Sequence, residues 1–291
     1  MDTALILRIA SEKNEYLENK KISSLLSQSA LVGKLTADFI DNPLFAVFRA
    51  MGLSEIPHIE TLPYTQNIVD YINKNIATQQ GFSCLGGVEE IVPCYNAMLL
   101  EAYCRFGLAS GKEARAALSW IEQYQLFERN QSTSWPYKGI CKHGGCLGKT
   151  PCYIGIGKTV RALVTYSECV KHKNQKVESL IMQGTDYMLR HKMFKRLSGD
   201  IPVSQHITDI MFPQSYALSL TDLTYIVGKR KLTAHENSLD LLRLLQEKQV
   251  SPNQWKIDYL YSYKGYVGFE TKRKASEWIS ELFPIWLSDL L

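Results

Sequence analysis

Four prolines impose the strongest constraint on this chain. Pro43, Pro93, Pro151 and Pro213 each stand at the head of an apolar run, and they are 50, 58 and 62 residues apart. Proline suits the first position of a helix, because its missing N–H would be unpaired there anyway. The runs close near Gly52, Gly107, Ser167 and Gly228, so the reading is four buried helices at 43–52, 93–107, 151–167 and 213–228. A fifth apolar run, WISELFPIWLSDLL, closes the chain and carries its Pro284 inside.

Amphipathic stretches lie between the apolar runs. In Lys112 to Phe127 the residues Ala114, Ala117, Leu118, Ile121 and Tyr124 recur at helical spacing, with Glu113, Arg115, Glu122 and Gln123 on much of the opposite side. Asn174 to Lys192 and Glu236 to Gln246 repeat the pattern. Each period therefore holds one buried and one half-exposed helix, the mark of a repeat whose hairpins bury their apolar faces only by stacking on one another. Five or six such hairpins make an open solenoid or close into a ring. Strand signals are scarce; short β-branched runs near Ile201 and Tyr266 read as loops or, at most, a small hairpin. No proline- or glycine-rich linker interrupts the 291 residues, which read as a single domain with a helical segment at 1–33 and hairpin repeats over 34–291.

Composition narrows the function classes. A surplus of only 33 basic over 29 acidic side chains does not suggest nucleic acid as a partner, and no apolar stretch approaches the roughly 18 residues of a spanning helix. A soluble cytoplasmic protein is expected. Seven cysteines without a secretion signal favour metal ligands, reactive thiols or packing over a disulfide framework.

The cysteines supply the clearest motif. GFSCLGGVEEIVPCYNAML and GICKHGGCLGKTPCYIGIG share Gly-x-Cys, a Gly-Gly loop and Pro-Cys-Tyr entering a buried helix. The pairs are Cys84 with Cys94 and Cys141 with Cys152. A thiol near a helix start is activated by the dipole and by unpaired amides. The four sulfurs, joined by His143 and Cys146, are candidate zinc ligands; the alternatives are packing, since cysteine behaves as a small hydrophobe, and a reactive or redox thiol pair. Cys104 and Cys169 fall within helical runs and read as core. Neither GKT triplet sits in a P-loop, and there is no HExxH or GxSxG.

These features resemble the repeats of the prenyltransferase and squalene-cyclase superfamily, most specifically in the two cysteine segments. QVSPNQW, Gln249 to Trp255, is similar to that superfamily's glutamine-to-tryptophan repeat, with Asn253 at its glycine position. The resemblance implies an all-α fold, an α/α toroid with inner helices around a central cavity and outer helices surrounding them. The transferases' zinc ligands match at Cys152 before Tyr153, whereas their aspartate falls on Thr150 and their histidine near Phe212; no DxDD or DDxxD occurs. Cys141-Lys142-His143-Gly144 is faintly similar to the zinc signature of the lanthionine cyclases.

Two functions are thus expected as alternatives. One is an enzyme with a cysteine-rich, zinc-binding site beside an apolar cavity, acting on an isoprenoid-like or other apolar small molecule or a peptide. Its candidate catalytic residues are Cys94, Cys152, Tyr153, His206 and Asp209, and its candidate substrate contacts are Tyr95, Lys158, Arg161 and Tyr216. The other is a binding or scaffold module stapled by the metal.

Overall fold

The computed structural model describes residues 1–137, 146–172 and 174–288. Within them the protein is predominantly helical. Three helices come first: α1 (Thr3–Glu12), α2 (Asn19–Gln28) and α3 (Ala30–Leu35). Asp2 ties this segment together, because its carboxylate accepts from the Ala4 amide at 2.9 Å, from the Ser29 hydroxyl at 2.6 Å and from the Leu31 amide at 3.0 Å. One side chain thereby anchors the starts of α1 and α3.

The apolar runs then become α4 (Pro43–Ser54), α6 (Pro93–Arg105), α8 (Tyr153–Cys169), α10 (Leu220–Lys229) and α12 (Glu277–Trp286). Each packs on the next in the series, and α12 packs on α1. Between them lie α5 (Pro63–Asn75), α7 (Lys112–Tyr124), α9 (Gln175–Arg190) and α11 (Leu239–Glu247). Helices α5, α7 and α9 pack on α4, α6 and α8 respectively. Every residue of α6 except Arg105 is buried, whereas α7 buries only Ala114, Ala117, Leu118, Trp120 and Ile121. The contrast follows the sequence: an all-round apolar helix needs neighbours on every side, and a striped one leaves a face to water.

Pro43 and Pro93 stand at the first position of their helices, and Asn42 caps α4 by accepting from the Phe45 amide at 2.8 Å. Pro151 lies two residues ahead of α8, whose N-cap is Cys152. The expected helix 213–228 is corrected: α10 begins at Leu220. Its start is set by a capping box, in which the Ser219 hydroxyl faces the Asp222 amide and the Asp222 carboxylate accepts from the Ser219 amide. That reciprocal pairing fixes the helix origin seven residues beyond Pro213, and the intervening segment presents Gln214 and Tyr216 to other helices instead.

Strand is limited to two small antiparallel hairpins among the described residues, β1 (Ala77–Thr78) with β2 (Gly81–Phe82), and β3 (Gln249–Ser251) with β4 (Gln254–Trp255). The stretches near Ile201 and Tyr266, read as at most loops or a small hairpin, form no strand, and the Ile201 region contributes a bridge between Lys195 and Pro202. The second hairpin is the QVSPNQW stretch. Asn253 turns it with φ of 56°, in the left-handed region that glycine and asparagine tolerate best. Trp255 then buries its ring and donates from Nε1 to the Leu245 carbonyl at 2.7 Å.

A buried ion network and a paired cysteine

Where α4, α6, α8 and α10 meet, the interior carries charge. Arg161, 1% exposed on α8, donates from Nε to both Glu101 oxygens at 3.1 and 3.0 Å, from Nη1 to Asp222 Oδ1 at 3.0 Å and from Nη2 to Glu55 Oε1 at 3.0 Å. One guanidinium thus binds carboxylates at the end of α4, on α6 and on α10. Its planar fork supplies several donors in fixed directions, which a lysine could not reproduce. The Tyr225 ring lies 4.7 Å beneath it. Lys158 Nζ, also buried, binds Asp222 at 3.0 Å and donates to Gln214 Oε1 at 3.2 Å. Arg8 reaches Glu55 at 2.6 Å from α1, and Arg105 reaches Glu101 at 2.9 Å.

Charge balance makes this burial tolerable, because an isolated buried ion would be prohibitive. Burial alone would raise the Glu101 carboxyl, but Arg161 and Arg105 reverse this and hold it at about 2. Burial likewise opposes ionisation of Glu12, and Arg8 with Lys229 brings it to about 2. Lys158 is pushed down, by burial first and against the pull of Asp222. Lys158 and Arg161, expected as substrate contacts, are therefore held by carboxylates. Below them, at the C-terminal ends of these helices, a cavity of about 670 Å³ is lined by polar groups including Arg8, Glu12, Arg105, Glu168 and Lys229.

The opposite, N-terminal ends carry the cysteines. The Cys146 side chain hydrogen-bonds the Cys152 sulfur, and the Cys152 amide donates to the Cys146 carbonyl at 3.0 Å. The Cys152 thiol is lowered to about 6: the Cys146 hydrogen bond is the largest cause, burial opposes it, and the Gly155 and Ile154 amides at the start of α8 add to it. Cys84 is buried and its thiol donates to the Glu90 carbonyl at 3.3 Å, while Cys94 is buried at the second position of α6. No disulfide joins the described cysteines. Cys104 is core as expected, with burial and then Cys169 pushing its thiol up; Cys169 is instead exposed, beside the polar cavity.

The zinc expectation is corrected. Among the described residues no group of three or more His, Cys, Asp or Glu side chains is placed to hold a metal ion. Of the expected ligands Cys84, Cys94, Cys146 and Cys152 do not assemble such a group, and Cys141 and His143 lie outside the described residues. The thiols have local partners instead: Glu90 for Cys84, and Cys146 for Cys152. With the metal goes the expected cysteine-rich catalytic centre on an isoprenoid-like substrate, and the metal-stapled scaffold as well.

The remaining candidates divide into separate groups. Tyr95 is buried and stacks on half-exposed Tyr216 with centroids 5.9 Å apart; Phe48 lies at 6.3 Å from Tyr95. Tyr153 is buried, donating to the Met193 carbonyl at 2.6 Å, with its hydroxyl pushed up by burial. His206 Nδ1 pairs with Asp209 Oδ2 at 2.8 Å and its ring stacks on Tyr259 at 4.0 Å. Sequence reasoning missed the partners Glu12, Glu55 and Asp222 and the cations Arg8 and Arg105. A signal was present: single charges, Glu101 and Arg105 on one run and Lys158 and Arg161 on another, stand in otherwise apolar helices.

No family model, curated protein or solved structure matches the chain. The prenyltransferase and squalene-cyclase expectation therefore gains no support from these comparisons, and the fold class is all-α. Among the described residues no helix is long and apolar enough to cross a membrane.

Proposed function

We propose that this protein is a thiol enzyme, built on a ring of helical hairpins, in which Cys152 is the nucleophile and Cys146 the resolving thiol of a disulfide exchange. The observation that carries the reading is the Cys146 side chain hydrogen-bonded to Cys152 at the head of α8. The lowered thiol supports it, since a group at about 6 is mostly thiolate at neutral pH, and the thiolate is the attacking species. Both residues are half-buried, so a small disulfide can approach.

The chemistry balances with a disulfide as oxidant. The Cys152 thiolate attacks one sulfur, forming a mixed disulfide and releasing the other half as thiolate. Cys146 then loses its proton to solvent and attacks the Cys152 sulfur, closing a Cys146–Cys152 disulfide and releasing the second half; an external dithiol returns the pair to the reduced form. The ring is the closed, toroidal form of the hairpin series. It is supported by α1, which packs on α12 while Arg8 on α1 binds Glu55 at the end of α4, joining the last inner helix to the first.

The test uses glutathione disulfide and mass spectrometry. Wild-type protein should release thiol and lose two hydrogens from the peptides bearing Cys146 and Cys152, with alkylation of Cys152 half-maximal near pH 6. Cys152→Ser should abolish release, and Cys146→Ser should trap the mixed disulfide. Equal release by wild type and Cys152→Ser would overturn the thiol reading, and an experimental structure with α12 and α4 on opposite flanks would overturn the ring.

A further inference from the structure

The loop that follows α9 holds a second cluster of polar groups, independent of the thiol pair. His191, 4% exposed, packs against the rings of Tyr153 and Tyr187, with centroids at 5.0 and 4.8 Å. Its Nδ1 lies 2.8 Å from the Lys195 carbonyl, which can only accept, so Nδ1 carries a proton. Nε2 is buried and has no hydrogen-bond partner among the described residues. Such an orphaned buried polar atom in a native interior calls for an explanation. His191 lines a cavity of about 460 Å³ together with Arg129, Arg196, Leu197, Ser198 and Val203.

The charges around this cavity do not cancel. Arg190 pairs with Glu128, Lys195 with Asp200 and Asp240, and Lys192 with Asp240. Arg129 and Arg196 make no ion pair among the described residues, and both line the cavity beside His191. Two guanidiniums without carboxylates match a dianion, and arginine is suited to phosphate because its donors meet two oxygens at once. The cavity lies within the volume range of small-ligand sites and exceeds what a phosphate group alone would fill. An adjoining recess of about 500 Å³ shares His191, Arg196 and Leu197.

We propose that Arg129, Arg196 and His191 form a binding site for the phosphate group of a small phosphorylated ligand. The guanidiniums neutralise the dianion, and Nε2 of His191 either accepts from a protonated phosphate oxygen or donates once the ring is protonated. Leu197 and Val203 border the organic remainder of the ligand.

Inorganic phosphate is the probe, titrated into the whole protein at fixed ionic strength against chloride. Saturable binding is expected, with a rise in Tm and a shift of the His191 ring nitrogen resonances. Arg129 and Arg196 are exposed, so the double variant Arg129→Gln, Arg196→Gln should fold as wild type, checked by circular dichroism, and should bind more than tenfold more weakly. Lys20→Gln with Lys21→Gln removes the same charge from an exposed stretch of α2 and should leave binding unchanged. Phosphate affinity equal in the arginine double variant and wild type, an equal loss in the lysine control, or no preference for phosphate over chloride would each overturn the site.

Discussion

Replacing Arg161 by methionine tests whether the interior is held together by charge. The substitution keeps an apolar stem of similar length and deletes one cation from a set in which Arg8, Arg105, Lys158, Arg161 and Lys229 face Glu12, Glu55, Glu101 and Asp222. Each of the three carboxylates that Arg161 binds keeps a close cation: Arg8 at 2.6 Å for Glu55, Arg105 at 2.9 Å for Glu101 and Lys158 at 3.0 Å for Asp222. Three buried ion pairs, to Glu55, Glu101 and Asp222, are lost together. Breaking a buried pair this way costs about 3–5 kcal/mol, a large part of the roughly 5–15 kcal/mol that holds a typical protein folded. Urea unfolding at pH 7 should show that loss. The pH dependence gives an independent check. Glu101 is depressed to about 2 from an ordinary 4.5, so its contribution is complete above pH 4.5 and fades as pH falls toward 2. Without Arg161 the Glu101 carboxyl rises and protonates earlier, so the difference between variant and wild type should shrink at pH 3. Adding Glu101→Gln to the variant should recover part of the loss at pH 7. A difference under about 1 kcal/mol at pH 7, or one that stays constant down to pH 3, would refute the reasoning, because a network worth so little would contradict the cost of breaking buried ion pairs.

Other sites give sharper local expectations. Gly228 on α10 faces the Trp286 backbone carbonyl of α12 so closely that a methyl group would collide with it, and backbone cannot yield as a side chain can; Gly228→Ala should lower stability by about 1–3 kcal/mol or more in thermal unfolding. Ser219→Ala removes the capping box of α10 and should cost about 1 kcal/mol in the same assay. Asn253→Gly should be nearly neutral at φ of 56°, whereas Asn253→Val, with a branched Cβ in the left-handed region, should cost about 1–2 kcal/mol. Acid titration of wild type followed by circular dichroism should show stability falling between pH 4.5 and 2 as Glu12 and Glu101 take up protons.

The sequence by itself determined the helices. The alternation of all-round apolar and striped runs, the prolines at 43 and 93 and the small hairpin turned by Asn253 are local signals, read within a few residues of where they act. The position of Cys152 at a helix start was legible for the same reason, whereas the Cys146 hydrogen bond that most lowers its thiol was not. Where a local signal misled, as at Pro213, a stronger local one, the Ser219–Asp222 box, took precedence. Only the tertiary structure decided what each charge meets. Arg161 finds Glu101, Asp222 and Glu55 at sequence separations of 60, 61 and 106 residues, and no periodicity encodes a partner that far away. The interior looked like an apolar cavity from single helices because each contributes only one or two charges. The charges become a paired network when α1, α4, α6, α8 and α10 bring them within 3 Å or so of one another, since ions leave water only where opposite charge is already waiting.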